Sequence, residues 1–256
     1  MTKRPHRSFP TPWGPTLAGT ALLGLLACGD DAVPAEPDVC EQPPTPHVSA
    51  QAQCGPTLDF TPVNRYQGAL SAAAGREDAV AFIDGRCTGT LIEASAGPVV
   101  LTAGHCVGLG DRPLLVFNFE DDPDGDDLMT EGTVIERSDA PDYALIALDT
   151  LPSTPPIPLS TRPSERLAVI QHPRGHPKSI AEGSLRASCN GHIYYEDLDT
   201  LVSSSGAGVL NEQGNLVGVH TDGDCQEDGR GTNWGWTTEG IVEASEYLVD
   251  GDIVER

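Results

Sequence analysis

Three stretches, Leu101-Thr-Ala-Gly-His-Cys106, Asp142-Tyr-Ala-Leu145 and Ser203-Ser-Ser-Gly-Ala-Gly208, decide how this 256-residue chain is read. Each carries one group of an acyl-transfer site. A serine hydroxyl is a weak nucleophile until a base takes its proton. An imidazole titrates near neutral pH, and a carboxylate beside it fixes its tautomer and steadies the imidazolium. His105, Asp142 and Ser205 supply base, orienter and nucleophile, in the chain order His, Asp, Ser. The other histidines lie in poorer settings: His6 near a basic N-terminus, His47 in a Pro-rich stretch, His192 in a polar turn, His172 and His176 in a turn interrupted by Pro173 and Pro177. Among the adjacent serines, Ser205 alone directly precedes Gly-Ala-Gly, which lets backbone approach a substrate.

Outward from these motifs the chain breaks into short apolar runs at 78–83, 97–102, 114–119, 132–136, 142–148, 167–171 and 216–220. Turn residues separate them, and 28 Gly with 22 Pro favour many turns over long helices. The pattern predicts an antiparallel sandwich or barrel. One helix is expected over 239–249, where Ile241, Ala244, Ser245 and Leu248 share a face.

Thirty-eight acidic side chains against 15 basic ones give a net charge of −23, which removes nucleic acid as a partner, since that binding draws on Lys and Arg. Lys3, Arg4 and Arg7 precede an apolar run at 17–27 that is short for a bilayer span, and the two together read as a secretory signal over 1–27. The run ends in Leu25-Leu26-Ala27-Cys28, which resembles the lipobox of bacterial lipoproteins and implies lipidation at Cys28 and a membrane contact through that anchor only. Residues 28–65, acidic and Pro-rich, read as a tether. Beyond Cys28 there remain Cys40, Cys54, Cys87, Cys106, Cys189 and Cys225, an even set that in an exported chain reads as three disulfides. Cys-x-x-Cys spacing is absent, so zinc is disfavoured.

In order and chemistry the three opening motifs resemble those of the chymotrypsin-like serine proteases. The resemblance implies an all-β fold of two antiparallel β-barrels with a C-terminal helix. Within a domain at 66–256, the first barrel falls at about 66–155, the second at about 165–238 and the helix at 239–249. It further implies a monomeric serine endopeptidase that works through an acyl-enzyme on protein or peptide substrates without a cofactor. In that family a disulfide corresponding to Cys87 with Cys106 pins the His-bearing turn, and the oxyanion donors correspond to the N–H groups of Ser205 and Ser203. Serine at 203 departs from the family's glycine, Gly208 from its proline, and Ser204 from the aspartate that binds a freed N-terminus in trypsin-type members.

The placement of Thr200 and His220 resembles the glutamyl endopeptidase subfamily and implies a pocket for acidic side chains, with Asp222 close by opposing it. A Cys189 to Cys225 bridge would brace that pocket and leave Cys40 to pair with Cys54. The acidic run at 120–127 offers Asp122, Asp124 and Asp126 as a weak calcium candidate without EF-hand spacing. A catalytically silent, protease-like binding protein at the cell envelope is the alternative. The lipobox predicts that palmitate labels the chain and that the mature protein begins at a modified Cys28; an unmodified N-terminus beyond Cys28 contradicts it.

Overall fold

The computed structural model describes residues 38–43, 45, 51–123 and 125–255. Six antiparallel strands close the first barrel: Val80–Ile83, Cys87–Ile92, Val99–Thr102, Leu114–Phe117, Leu128–Asp139 and Asp142–Leu148. Cys87–Ile92 is buried along its whole length. Gly89 on that strand is required by packing, because a Cβ there would lie 2.6 Å from Ile83 Cδ1 and 2.7 Å from Val100 Cγ1.

The second barrel uses Arg166–Gln171, Ser179–Cys189, His192–Glu196, Asn233–Thr237, Leu216–Gly223 and Gly208–Leu210, the last pairing with both Leu216–Gly223 and Arg166–Gln171 to close the ring. Leu167, Val169, Ile193, Tyr195 and Val209 fill its interior. Two closed barrels and a short C-terminal helix are therefore the architecture, as the motifs led one to expect.

Three expectations are corrected. The helix covers only Thr238–Ala244. Thr237 caps its start by accepting from the Gly240 N–H at 3.1 Å, and its end is fixed by side chains. Ser245 Oγ accepts the N–H groups of Tyr247 and Leu248, while the Glu136 carboxylate takes the Ser245 hydroxyl and the Glu246 N–H. Those donors are thereby diverted from another helical turn.

The disulfides are Cys40–Cys189, Cys54–Cys225 and Cys87–Cys106. Cys189 and Cys225 thus each hold the N-terminal segment instead of each other, and Cys40 does not pair with Cys54. Nor do residues 51–65 hang free. Gln51–Ala52 pairs with Thr200–Leu201, and Thr61–Pro62 pairs with Ser179 and Ile180. Three disulfides suit a chain that folds in an oxidising compartment. Among the described residues no helix is long and apolar enough to cross a membrane.

The barrels meet over two unusual contacts. His172 of the second barrel packs against both Phe82 and Phe119 of the first, with ring centroids 5.0 and 5.8 Å away, and the two phenylalanines also meet each other at 5.8 Å. Burial pushes its pKa down to about 3, so it is a neutral packing group. Lys178, fully buried, places Nζ 2.6 Å from Glu77 Oε2 and 3.5 Å from Glu120 Oε1. Burial lifts the Glu77 pKa to about 7 against the pull of Lys178, so the folded chain holds a proton there that the unfolded chain releases between about pH 4.5 and 7. Removing one partner of such a cluster leaves uncompensated buried charge. Lys178→Met is expected to lower the unfolding free energy by about 3–5 kcal/mol at pH 8. At pH 5, where Glu77 is protonated, the loss is smaller. Equal losses at the two pH values by denaturant titration contradict this account.

Candidate active site

His105 sits on a one-turn helix, Gly104–Cys106, at the end of the Val99–Thr102 strand. The turn lies hard against the hairpin of Leu128–Asp139 and Asp142–Leu148. A Cβ on Gly104 would come within 2.2 Å of Ser138 O and 2.8 Å of Tyr143 O, so glycine allows the approach. Asp142 then grips one residue twice: Oδ1 accepts the His105 backbone N–H at 2.9 Å and Oδ2 lies 2.6 Å from Nδ1. An ionised carboxylate only accepts, so the ring proton belongs on Nδ1 and the lone pair on Nε2. The hydrogen bond to Asp142 raises the His105 pKa, burial opposes, and the charges of Asp142 and Asp222 add to the rise. Cys87–Cys106 ties the turn to the neighbouring strand, and Arg137 Nε donates to Gly104 O at 2.9 Å.

Ser205 follows a tight turn from Leu201 to Ser204 that is closed by the Ser204 N–H on Leu201 O at 3.0 Å. Its third residue, Ser203, has φ +77°, the left-handed conformation that glycine adopts without cost. Backbone partners hold it there. Arg174 N–H donates to Val202 O at 2.6 Å, and the Thr88 hydroxyl donates to Ser203 O at 2.8 Å. Because a trans peptide points its N–H opposite to its C=O, fixing Val202 O also fixes the direction of the Ser203 N–H. Thr88 N–H donates to Ser205 O at 2.9 Å. Gly206, at φ +87°, has no room for a Cβ, which would lie 2.1 Å from Thr102 Oγ1 and 2.2 Å from Thr88 O.

His105, Asp142, Ser203, Ser205, Thr200, His220 and Asp222, drawn from both barrels, line one cleft of about 550 Å³. His220 is buried, its Nδ1 lies 2.5 Å from Tyr195 Oη, and burial followed by the charge of His105 pushes its pKa down to about 3. Burial, chiefly, raises the pKa of Asp222, with the Asp142 charge adding to it. Arg86, Asp139, His192, Trp236 and Ala52 also line the cleft and carry no local signature that marks them. His192 stacks on Trp236 at 4.0 Å between ring centroids. Cys40, Cys54, Cys189 and Cys225 are not among the residues that line it.

The two described calcium candidates have other surroundings. Asp122 pairs with Arg65 at 2.7 Å, and Asp124 lies outside the described residues, as does Cys28. Asp126 lines a separate hollow. Among the described residues no group of three His, Cys, Asp or Glu side chains is placed to hold a metal ion.

Residues 87–219 match the family model described as Trypsin-like peptidase domain. Among solved structures the chain is similar to the inactive form of the Rv3671c protease of M. tuberculosis H37Rv, at 19% identity and TM-score 0.54, covering 67% of this chain and 89% of that one. It is also similar to a serine endoprotease from Yersinia pestis, at 16% identity and TM-score 0.55, covering 68% of this chain and 64% of that one. At these identities the likeness concerns the fold. No curated protein matches the chain in sequence.

The left-handed backbone at Ser203 predicts that Ser203→Gly raises stability by about 1 kcal/mol, because the strain of a Cβ in that conformation is removed. A loss of stability on thermal melting contradicts it.

Proposed function

Because the chain belongs to the trypsin-like peptidase family, we propose that it is a serine endopeptidase in which His105, Asp142 and Ser205 form the catalytic triad. The observation that carries this is the double grip of Asp142 on His105, at 2.9 Å on the backbone and 2.6 Å on the ring, in a cleft shared with Ser205. His105 takes the Ser205 proton as the hydroxyl attacks the peptide carbonyl. Asp142 steadies the imidazolium, and the same proton then passes to the leaving amine. Water, activated by His105 in turn, hydrolyses the acyl-enzyme. The N–H groups of Ser203 and Ser205 serve as oxyanion donors. The left-handed backbone at Ser203 supports an enzyme over a silent binding protein, since a serine there takes the conformation that a glycine would.

The side-chain preference is read from the same geometry. His220 would favour acidic substrate residues as a cation, yet at neutral pH it is a neutral ring engaged by Tyr195. Asp222 in the same cleft and the net charge of −23 both repel anions. The geometry thus disfavours an acidic side chain before the scissile bond. Export, supported by the three disulfides, and lipidation at Cys28 complete the proposal.

A fluorophosphonate probe is expected to label the protein once per chain, at Ser205, and Ser205→Ala is expected to abolish the labelling; labelling elsewhere contradicts the assignment. The active base is neutral His105, whose pKa is raised above 6.5, so kcat/KM falls as pH drops through a value above 6.5. Asp142→Asn is expected to move that limb to lower pH and to reduce kcat by about 10⁴-fold. An unchanged acid limb in the variant contradicts the role of Asp142.

A further inference from the structure

The segment 51–59 lies outside the stretch that the family model matches, yet it is built into the wall of the cleft. Ala52 pairs with Thr200 in an antiparallel register, is 4% exposed, and lines the same cavity as Ser205 and His220. Its carbonyl accepts from Asn233 Nδ2 at 3.1 Å, and the same amide donates to Leu198 O at 2.8 Å. Beside Asn233, Ala52 also meets Gly223. A Cβ added at Gly223 would lie 2.8 Å from Ala52 Cβ and 1.9 Å from Asn233 Oδ1. The volume that glycine at 223 leaves next to the cleft is therefore taken by the Ala52 methyl and the Asn233 amide.

Five separate devices hold the segment in place. Besides the short ladder and the Asn233 amide, the Asp199 carboxylate accepts the N–H groups of Cys54 and Asp59 at 2.7 and 2.6 Å. Asp199 is buried immediately before Thr200, so the segment supplies the hydrogen-bond donors that a buried carboxylate there requires. Cys54 is bonded to Cys225, just beyond Gly223, and Gly55 N–H donates to Gln226 O at 3.0 Å. A connecting segment that only spaced a domain from a membrane would need none of these.

We propose that this strap, through Ala52, is a specificity determinant: it closes the cleft beside Thr200 and Gly223 and restricts the enzyme to substrates with a small, non-acidic side chain before the scissile bond, a proposal that rests on Ser205 being the nucleophile. Ala52 acts by filling space at the substrate side chain and takes no part in the proton transfers. The methyl group is the lever. Removing it deepens the cleft, and adding to it leaves less room.

The test is a series of acylated tetrapeptide p-nitroanilides that differ only in the last residue, Ala, Val, Leu, Phe or Glu, run on the full chain and on Ala52→Gly and Ala52→Val, with fluorophosphonate labelling rates measured in parallel. The parent is expected to favour Ala. Ala52→Gly should raise kcat/KM for Leu relative to Ala about 10-fold, and Ala52→Val should lower kcat/KM for Val and Leu about 10-fold relative to Ala, within the range that a methyl or methylene group controls in an apolar pocket. Labelling rates should stay within about 3-fold of the parent, since the probe's small head does not reach the strap. If labelling persists and the Leu-to-Ala ratio is the same in all three proteins, the strap is not a determinant while the triad stands. A parent that prefers Phe or Glu overturns the proposal in the same way. If the folded parent is not labelled at Ser205, both the triad and the strap's role fall together. Should Ala52→Val melt far below the parent, Ala52→Gly still decides the matter, because it adds no volume.

Discussion

One threonine side chain joins the two barrels where the chemistry is placed. The Thr88 hydroxyl, on a first-barrel strand, donates to Ser203 O and accepts the His172 N–H at 3.1 Å, and its backbone N–H holds Ser205 O. Thr102 Oγ1 donates to Thr88 O at 2.7 Å from the strand that leads to His105. The proposed base and nucleophile thus belong to different barrels but hang from adjacent hydrogen bonds. Two positions away, Thr90 Oγ1 accepts the Gly208 N–H at 3.1 Å and continues the seam. Each of these threonines is buried, and a buried hydroxyl with satisfied partners fixes geometry more tightly than apolar contact does. The His172 stack and the Lys178 cluster support the same interface farther from the cleft.

Electrostatics act in one direction across the cleft. Asp139, Asp142 and Asp222 all border it, and both Asp142 and Asp222 raise the His105 pKa. The field would favour the imidazolium of the proposed acyl transfer, and it disfavours an anionic substrate group. His220 does not offset this, because burial and its tie to Tyr195 keep it neutral. The family's usual glycine at 203 is replaced by a serine whose backbone pays the strain, held by Thr88 and the Arg174 N–H.

The candidate triad and the first barrel were legible in the sequence because both are local. His105, Asp142 and Ser205 stand in short motifs, and the strands around them are apolar runs such as 114–119 and 142–148. The second barrel was harder to read. Ser179–Cys189, His192–Glu196 and Asn233–Thr237 carry serine, glycine, tyrosine and tryptophan in place of aliphatic alternation, so their pairing is set by tertiary contacts. The disulfides were illegible for a related reason. Cys40–Cys189 and Cys54–Cys225 span 149 and 171 residues, and nothing near either cysteine specifies a partner so far away. Pro-rich composition made residues 51–65 look like a spacer, whereas their backbone is used in ladders and carboxylate contacts that composition does not reveal. The helix stopped early because Glu136, about a hundred residues upstream, captures its next donors.

The account turns on Ser205 being acylated with His105 as base. Turnover of an activated ester, quenched in acid within the first turnover and read by intact and peptide mass, tests this directly. It predicts one acyl group per chain, located at Ser205 and absent from His105→Ala. Ester hydrolysis with no adduct, or an acyl group on any other residue, contradicts it.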